Sequence, residues 1–515
     1  MSAPQEKKTA QTRAEREEKR RQEERADRRA MTLYTVVGVV VVLAAVIMMI
    51  WNSGILQRNL TAVEISGRQY NAADLQYYYA AAYNAALSDS LTTNGTYPFD
   101  TATSTKEQIY DEESGQTWFD HLVEQAIQNL MTDTALADQA GEAGYTLSED
   151  AQTELDDFLS QLETAWISYG YNSRDAFIRA NYGAYMTYDR LETLVRQEVM
   201  ANDYANTQVD SVEHSDEEYE TYYSEHAAEL DLYSYSQFTF QARVDTTDDE
   251  GNTIEMTEEE QAAALEAAQA EQQALAEELQ GRLEAGEDPA ALAEEYADQL
   301  YSSSLDRQAI GTNLAGASYA DWIMDDARVA GDVTLSQYDT TTATNYYVVL
   351  FQGRERDDSN TADVRHILVE AETDEGADEP TQEQLDAAHD EAADLLAQWE
   401  AGEATEDSFA ELATSNSDDS GSASDGGLYS NISTASSYVA PFKEWALDPS
   451  RQVGDTGLVQ SEYGWHVMYF VASGDPVWRQ NVTAAFREQD YEALDAQAVE
   501  GYSFTTSIGL NFLTA

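Results

Sequence analysis

Two stretches of this 515-residue chain are built to one plan, and that internal repeat restricts the fold more than any other feature. Tyr235-Ser-Gln-Phe-Thr-Phe240 corresponds to Val364-Arg-His-Ile-Leu-Val369. Leu283-Glu-Ala-Gly-Glu, followed by Pro-Ala-Ala-Leu-Ala, corresponds to Trp399-Glu-Ala-Gly-Glu, followed by Ser408-Phe-Ala-Glu-Leu-Ala. Asn345-Tyr-Tyr-Val-Val-Leu-Phe351 corresponds to Gly464-Trp-His-Val-Met-Tyr-Phe470. Each end of the repeat reads as a short apolar strand and the interior as two helices, so each copy should bring its outer strands together in a sheet. The second copy carries one histidine in each outer strand, His366 and His466; the first has Gln237 and Tyr347 there. A scaffold that forms without the imidazoles points to a functional use where they are present.

Around the repeat the chain is long enough for three or four domains. Residues 1–30 hold ten Lys/Arg against seven Asp/Glu and no apolar face, which reads as a basic cytoplasmic segment. No charged residue occurs from Met31 to Gln57, and Val36–Ile50 is almost wholly apolar. About 20 such residues cross a hydrocarbon core of roughly 30 Å, so residues 31–53 are expected to form a transmembrane signal-anchor, N-terminus inside. Trp51-Asn-Ser-Gly54 is a poor cleavage site, which argues against a removed signal peptide. Residues 62–230 read as a mostly α-helical domain. Leu75, Tyr79, Tyr83 and Leu87 make one helix face, expected in the core, and Ser215-Asp-Glu-Glu218 is a capping box. Residues 231–357 are the first copy, 362–474 the second, and 475–515 a C-terminal helix and an apolar tail that should pack back onto the protein. His121, His214 and His226 show no ligand spacing and read as packing residues.

The net charge of −69 argues against a nucleic-acid partner, because most of the chain offers no basic surface to neutralise phosphates. The absence of cysteine excludes disulfides, thiolate catalysis and cysteine-based zinc sites.

At Arg365-His-Ile-Leu-Val, Phe409-Ala-Glu-Leu-Ala, Ser417-Asp-Asp-Ser, Gly426-Gly-Leu428, Pro441-Phe442 and Tyr463-Gly-Trp-His466, the second copy resembles the parvulin family of peptidyl-prolyl cis/trans isomerases. The layout is similar to SurA-type and PrsA-type extracytoplasmic foldases. The resemblance implies an α+β multidomain protein: a helical chaperone domain and two parvulin-like domains, each a four-stranded antiparallel sheet with surrounding helices. It implies His366, Asp419, His466 and Tyr463 as catalytic residues and Leu428, Tyr438 and Phe442 as walls of the proline pocket. Two departures stand out. The loop between Leu428 and Pro441 is longer than the family's, and the family's aromatic after Gly-Gly-Leu is missing, Asn431-Ile432 standing nearby instead. No basic cluster follows the first strand, which argues against phosphoserine-proline preference.

Independently of the resemblance, rotation about an X-Pro bond breaks no covalent bond, so it calls for neither nucleophile, metal nor cofactor. A site must bind the twisted amide better than either planar form, through an apolar slot and fixed dipoles. The expectation is a membrane-anchored isomerase and foldase acting on unfolded, newly exported polypeptides. A non-catalytic holdase and a surface adhesin or structural ectodomain are the competing readings.

Overall fold

The computed structural model describes residues 41–43, 49, 53–94, 96–244, 256–340, 342–373 and 380–514. The basic segment 1–30 lies outside them, as does almost all of the expected membrane span 31–53; no described helix is long and apolar enough to cross a membrane. The chain divides into two units, one from the sequence up to Val212 together with Asp490–Ala515, the other from Glu213–Gln489.

The first unit begins with a hairpin, β1 (Thr61–Ile65) and β2 (Arg68–Asn71), turned by Ser66 and Gly67, both at positive φ. Two consecutive left-handed residues match the twist of a two-residue hairpin loop. Asn71 then caps the helix Ala72–Asn94, its Oδ1 accepting from the Ala73 and Asp74 amides at 2.8 and 3.1 Å. In that helix Leu75 and Tyr79 are buried while Tyr83 and Leu87 pack against the same core, so the expected stripe is core. A short hairpin, β3 (Ile109–Asp111) and β4 (Gln116–Thr117), leads into the helix Trp118–Ala143, and Glu149–Ser168, Arg174–Tyr182 and Tyr188–Asp210 follow. Thr117, Ser148 and Ser173 cap three of these helices through their hydroxyls.

The C-terminal tail packs back onto the first unit, as expected. Its strand Phe504–Thr506 pairs antiparallel with β1, Val63 opposite Thr506, and Leu513 is buried in the same core as Ile65 and Leu75. A two-stranded hairpin is marginal in water, and the third strand comes from the far end of the chain. The Ser215–Glu218 capping box is present, but its helix, Asp216–Glu225, belongs to the second unit rather than to the helical domain expected over 62–230. Tyr219, Tyr222 and Tyr223 pack there on Trp478, Val482 and Phe486. The tyrosine spacing marks an amphipathic helix but carries no information about which core receives it.

The second unit holds two four-stranded antiparallel sheets. In the first copy, β5 (Leu232–Arg243), β6 (Ser302–Ile310), β7 (Val333–Asp339) and β8 (Ala343–Glu355) order as β6-β5-β8-β7. In the second, β9 (Asn360–Glu370), β10 (Leu428–Ile432), β11 (Thr456–Ser461) and β12 (Gly464–Pro476) order as β10-β9-β12-β11. The outer strands of each repeat are therefore the central pair of its sheet. Strand period two separates their side chains. Ile367, Val369, Val467 and Tyr469 face the helices Gln382–Ala401 and Glu406–Asn416. Ala362, Val364, Met468 and Phe470 face Ile432 and the short helix Ala440–Ala446. His366 and His466 continue this second row.

Candidate active site

Strand alternation brings both histidines to one face, and β9 pairs with β12 so that His366 lies opposite Met468 and His466 opposite Leu368. The rings are 5.3 Å apart, only 3% and 5% exposed, and their Nδ1 atoms approach to 3.1 Å. The loop Ser417–Gly427 runs back along the edge of β9: the Leu368 amide donates to Ser417 Oγ at 3.1 Å and the Glu370 amide to an Asp418 carboxylate oxygen at 2.9 Å. With Asp418 so engaged, the next residue, Asp419, turns its carboxylate to His366, whose Nε2 is 2.8 Å from Oδ2. The loop rejoins the sheet at Gly427, whose carbonyl accepts the His366 amide at 2.8 Å. Gly427 has φ +71°, and a Cβ there would stand 2.1 Å from the His366 carbonyl oxygen, so only glycine permits this approach.

Hydrogen bonds decide the protons. Besides His366, Asp419 Oδ2 accepts from Ser422 Oγ at 2.6 Å and Tyr429 Oη at 2.9 Å, while Oδ1 accepts the Gly421 amide at 3.0 Å. The His366 bond above all, joined by those of Ser422, Tyr429 and Gly421, outweighs burial and holds the carboxyl well below the usual range. An ionised carboxylate only accepts, so His366 carries its proton on Nε2. Burial first, then the neighbouring His366, pushes His466 down to about 4 against a weaker opposing pull from Asp419, and its ring is neutral at neutral pH. At the far end Ser461 Oγ lies 2.8 Å from His466 Nε2. His366 Nε2–H thus donates to Asp419, the two facing Nδ1 atoms share one proton, and Ser461 ends the line at His466 Nε2.

Aromatic rings border this polar line. Phe442, buried, meets both imidazoles edge-on, 5.2 Å from His366 and 5.5 Å from His466. Tyr438 lies 5.5 Å from Phe442 and 4.8 Å from Tyr429, whose ring is 5.3 Å from His366. Of the sequence-predicted residues, His366, Asp419, His466, Tyr438 and Phe442 thus come together; Leu428 and Tyr463 do not. Leu428 pairs with Arg365 and Tyr429 with Val364, and partners across a ladder share a face. Leu428 therefore sits on the Arg365 face, and the aromatic after Gly-Gly-Leu is not missing, as the sequence suggests: it is Tyr429, directly after Leu428 and on the imidazole face. Asn431 adopts a left-handed φ of 55° within an irregular stretch of β10, which returns Ile432 to the core. Tyr463 is 55% exposed in the turn between β11 and β12, and only its backbone serves the site, its amide donating to Ser461 Oγ at 3.2 Å.

Tyr429, Ser422 and Ser461 were missed. Ser461 precedes the glycine of the Tyr-Gly-Trp-His motif at the position facing Gly464 in the β11–β12 register, which is the signal that could have found it. In the first copy Gln237 holds the place of His366. Its Oε1 accepts from Tyr319 Oη at 2.7 Å and Arg307 Nη1 at 3.1 Å, and its Nε2 donates to Thr239 Oγ1 at 3.2 Å. That polar group is satisfied internally.

Residues 347–472 match the family model of the PPIC-type PPIase domain, a span that opens in β8 and covers the second copy. This part of the chain is accordingly a parvulin-type peptidyl-prolyl isomerase domain. No curated protein matches the chain. Among solved structures it is similar to the peptidylprolyl isomerase PrsA from Bacillus anthracis, at 20% identity over 28% of this chain and 61% of that one, TM-score 0.18. PrsA from Bacillus cereus matches at 20% identity over 28% and 51%, TM-score 0.18. PrsA from Bacillus subtilis matches at 13% over 77% and 91%, TM-score 0.25. The chain thus spans less than two thirds of the first two of these proteins.

Proposed function

We propose that this protein is a membrane-anchored extracytoplasmic foldase whose second parvulin-type copy catalyses cis/trans isomerisation of X-Pro bonds in newly exported polypeptides. The observation that carries the reading is the unbroken line from Asp419 through His366 and His466 to Ser461, with Phe442 and Tyr438 beside it. The barrier to be lowered is roughly 18–20 kcal/mol, and uncatalysed X-Pro bonds interconvert over tens to hundreds of seconds. A fixed line of dipoles in a water-poor pocket can stabilise the charge redistribution of a twisted amide without reorganising, and an aromatic wall can hold the pyrrolidine ring. Residues 31–53 serve as the anchor, with the N-terminus cytoplasmic. The helical unit and the first copy, its polar centre closed by Tyr319 and Arg307, hold clients without turning them over.

A proline-limited refolding assay with the full chain in detergent tests the enzyme claim. Acceleration is expected from the parent protein and from Tyr463→Ala, and its loss from a His366→Ala, His466→Ala double variant. Equal rates from parent and double variant sink isomerisation, and suppression of client aggregation by the same samples then separates a holdase from an adhesin. Protease cleavage of the C-terminal domains on intact cells is expected from the proposed topology; full protection overturns it.

A further inference from the structure

Asp419 does not reach His366 unaided. Two hydroxyls, from Ser422 and Tyr429, converge on the same carboxylate oxygen that receives the imidazole proton. Ser422 is buried, at the foot of the loop that carries Asp419, and its Oγ is also 3.2 Å from His366 Nε2. Tyr429 comes from the edge strand β10 and packs its ring beside His366 at an interplanar angle of 31°. Burial, reinforced by Asp419, pushes its hydroxyl up to about 12, so it stays a donor to the carboxylate at any working pH.

The repeat supplies a second, independent observation. Tyr429 stands across the ladder from Val364, two residues before His366. In the first copy the residue two before Gln237 is Tyr235, and its ladder partner on the edge strand is Arg307. Arg307 reaches the central polar side chain directly, donating to Gln237 Oε1 at 3.1 Å. In both copies, then, the same edge-strand position controls the hydrogen bonding of the central group. An arginine there, with Tyr319, saturates an amide and closes the site. A tyrosine there pins only the carboxylate, and the line runs on through both imidazoles to Ser461.

We propose that Tyr429, with Ser422, is a positioning residue of the isomerase site: the two hydroxyls lock Asp419 so that His366 is held as an Nε2–H donor and its ring keeps one orientation toward His466. The inference rests on the isomerase reading of the same site. Two further consequences follow. Asp419, with one oxygen taking three donors, orients the imidazole instead of contacting the substrate. Removing a hydroxyl should lower turnover more than client affinity, because the aromatic wall survives in Tyr429→Phe.

The test pairs kinetics with a spectroscopic signature on the full chain in detergent. Histidine-selective 15N labelling should show His366 protonated and hydrogen-bonded at Nε2, and His466 carrying a single ring proton at neutral pH. Tyr429→Phe, and separately Ser422→Ala, should shift the His366 Nε2–H resonance and hasten its exchange with water. In a proline-isomerisation assay kcat should fall roughly tenfold to hundredfold, the range for a lost hydrogen bond to a charged group, with KM within about twofold. Unmoved imidazole resonances in both variants overturn the proposal whatever the rates do, as does a loss seen in KM alone. If Tyr429→Phe loses its folded spectrum, Ser422→Ala carries the same two readouts. A parent protein that shows this protonation pattern and its loss in the variants, yet no isomerase activity, leaves the positioning intact and overturns the isomerase reading instead.

Discussion

His466 shows how burial turns a residue type into a property. Its imidazole is pushed down to about 4, chiefly by burial and then by His366, while an unfolded histidine titrates near 6.5. Between these values the unfolded chain binds the extra proton and the folded domain resists it. The contribution is therefore fully present above about pH 6.5 and lost as pH falls through about 4. At 1.36 kcal/mol per unit the swing is on the order of 3 kcal/mol. Urea unfolding followed by Trp465 and Trp445 fluorescence should show the second copy weakening over that window, and His466→Gln should flatten the dependence. A parent curve as flat as the variant's would contradict the burial argument. At this scale His366, His466, Asp419 and Phe442 were legible because each sits in a recognisable motif. Tyr429 was not, because neighbouring strand residues point to opposite faces and only the register assigns Tyr429, rather than Leu428, to the imidazoles.

Helices and strands were legible where their ends carried chemistry. Thr117, Ser148, Ser173 and Ser215 announce helix starts through hydroxyl caps, and the repeat marks the paired strands. Which elements pack together was not. Three helices bring Asp133, Glu198 and Asp495 to one cavity of about 310 Å³ in the first unit, far apart in sequence. Burial, opposed by the Tyr78 hydrogen bond and aided by Glu198 and Asp495, pushes Asp133 up to about 7. Here the sign is opposite to His466. The folded state binds the proton more tightly than an unfolded aspartate near 3.9, so stability is greatest in acid and falls as pH rises through about 7. Asp133→Asn should remove most of that fall when the helical unit's unfolding is compared at pH 5.5 and pH 8. An unchanged pH dependence in the variant would mean that another group is responsible.

For the whole molecule, a net charge of −69 means that charge repulsion opposes folding. Screening shortens from about 10 Å at 0.1 M salt to about 3 Å at 1 M, so the melting temperature should rise with added sodium chloride, most steeply at low concentrations. A flat or falling melting temperature would show that local pairing already offsets the repulsion. Acid should also act on the two units in opposite directions, the helical unit gaining stability from Asp133 while the isomerase copy loses it through His466. The sequence alone determined the repeat, the strand and helix types, the exclusion of disulfides, and the central histidine pair, because these depend on composition and local periodicity. Tertiary structure alone decided that the tail completes the first unit's sheet, that the tyrosine helix belongs to the second unit, and that Tyr429, Ser422 and Ser461 close the polar line. Those outcomes depend on register and on contacts between residues hundreds of positions apart, which local pattern does not encode.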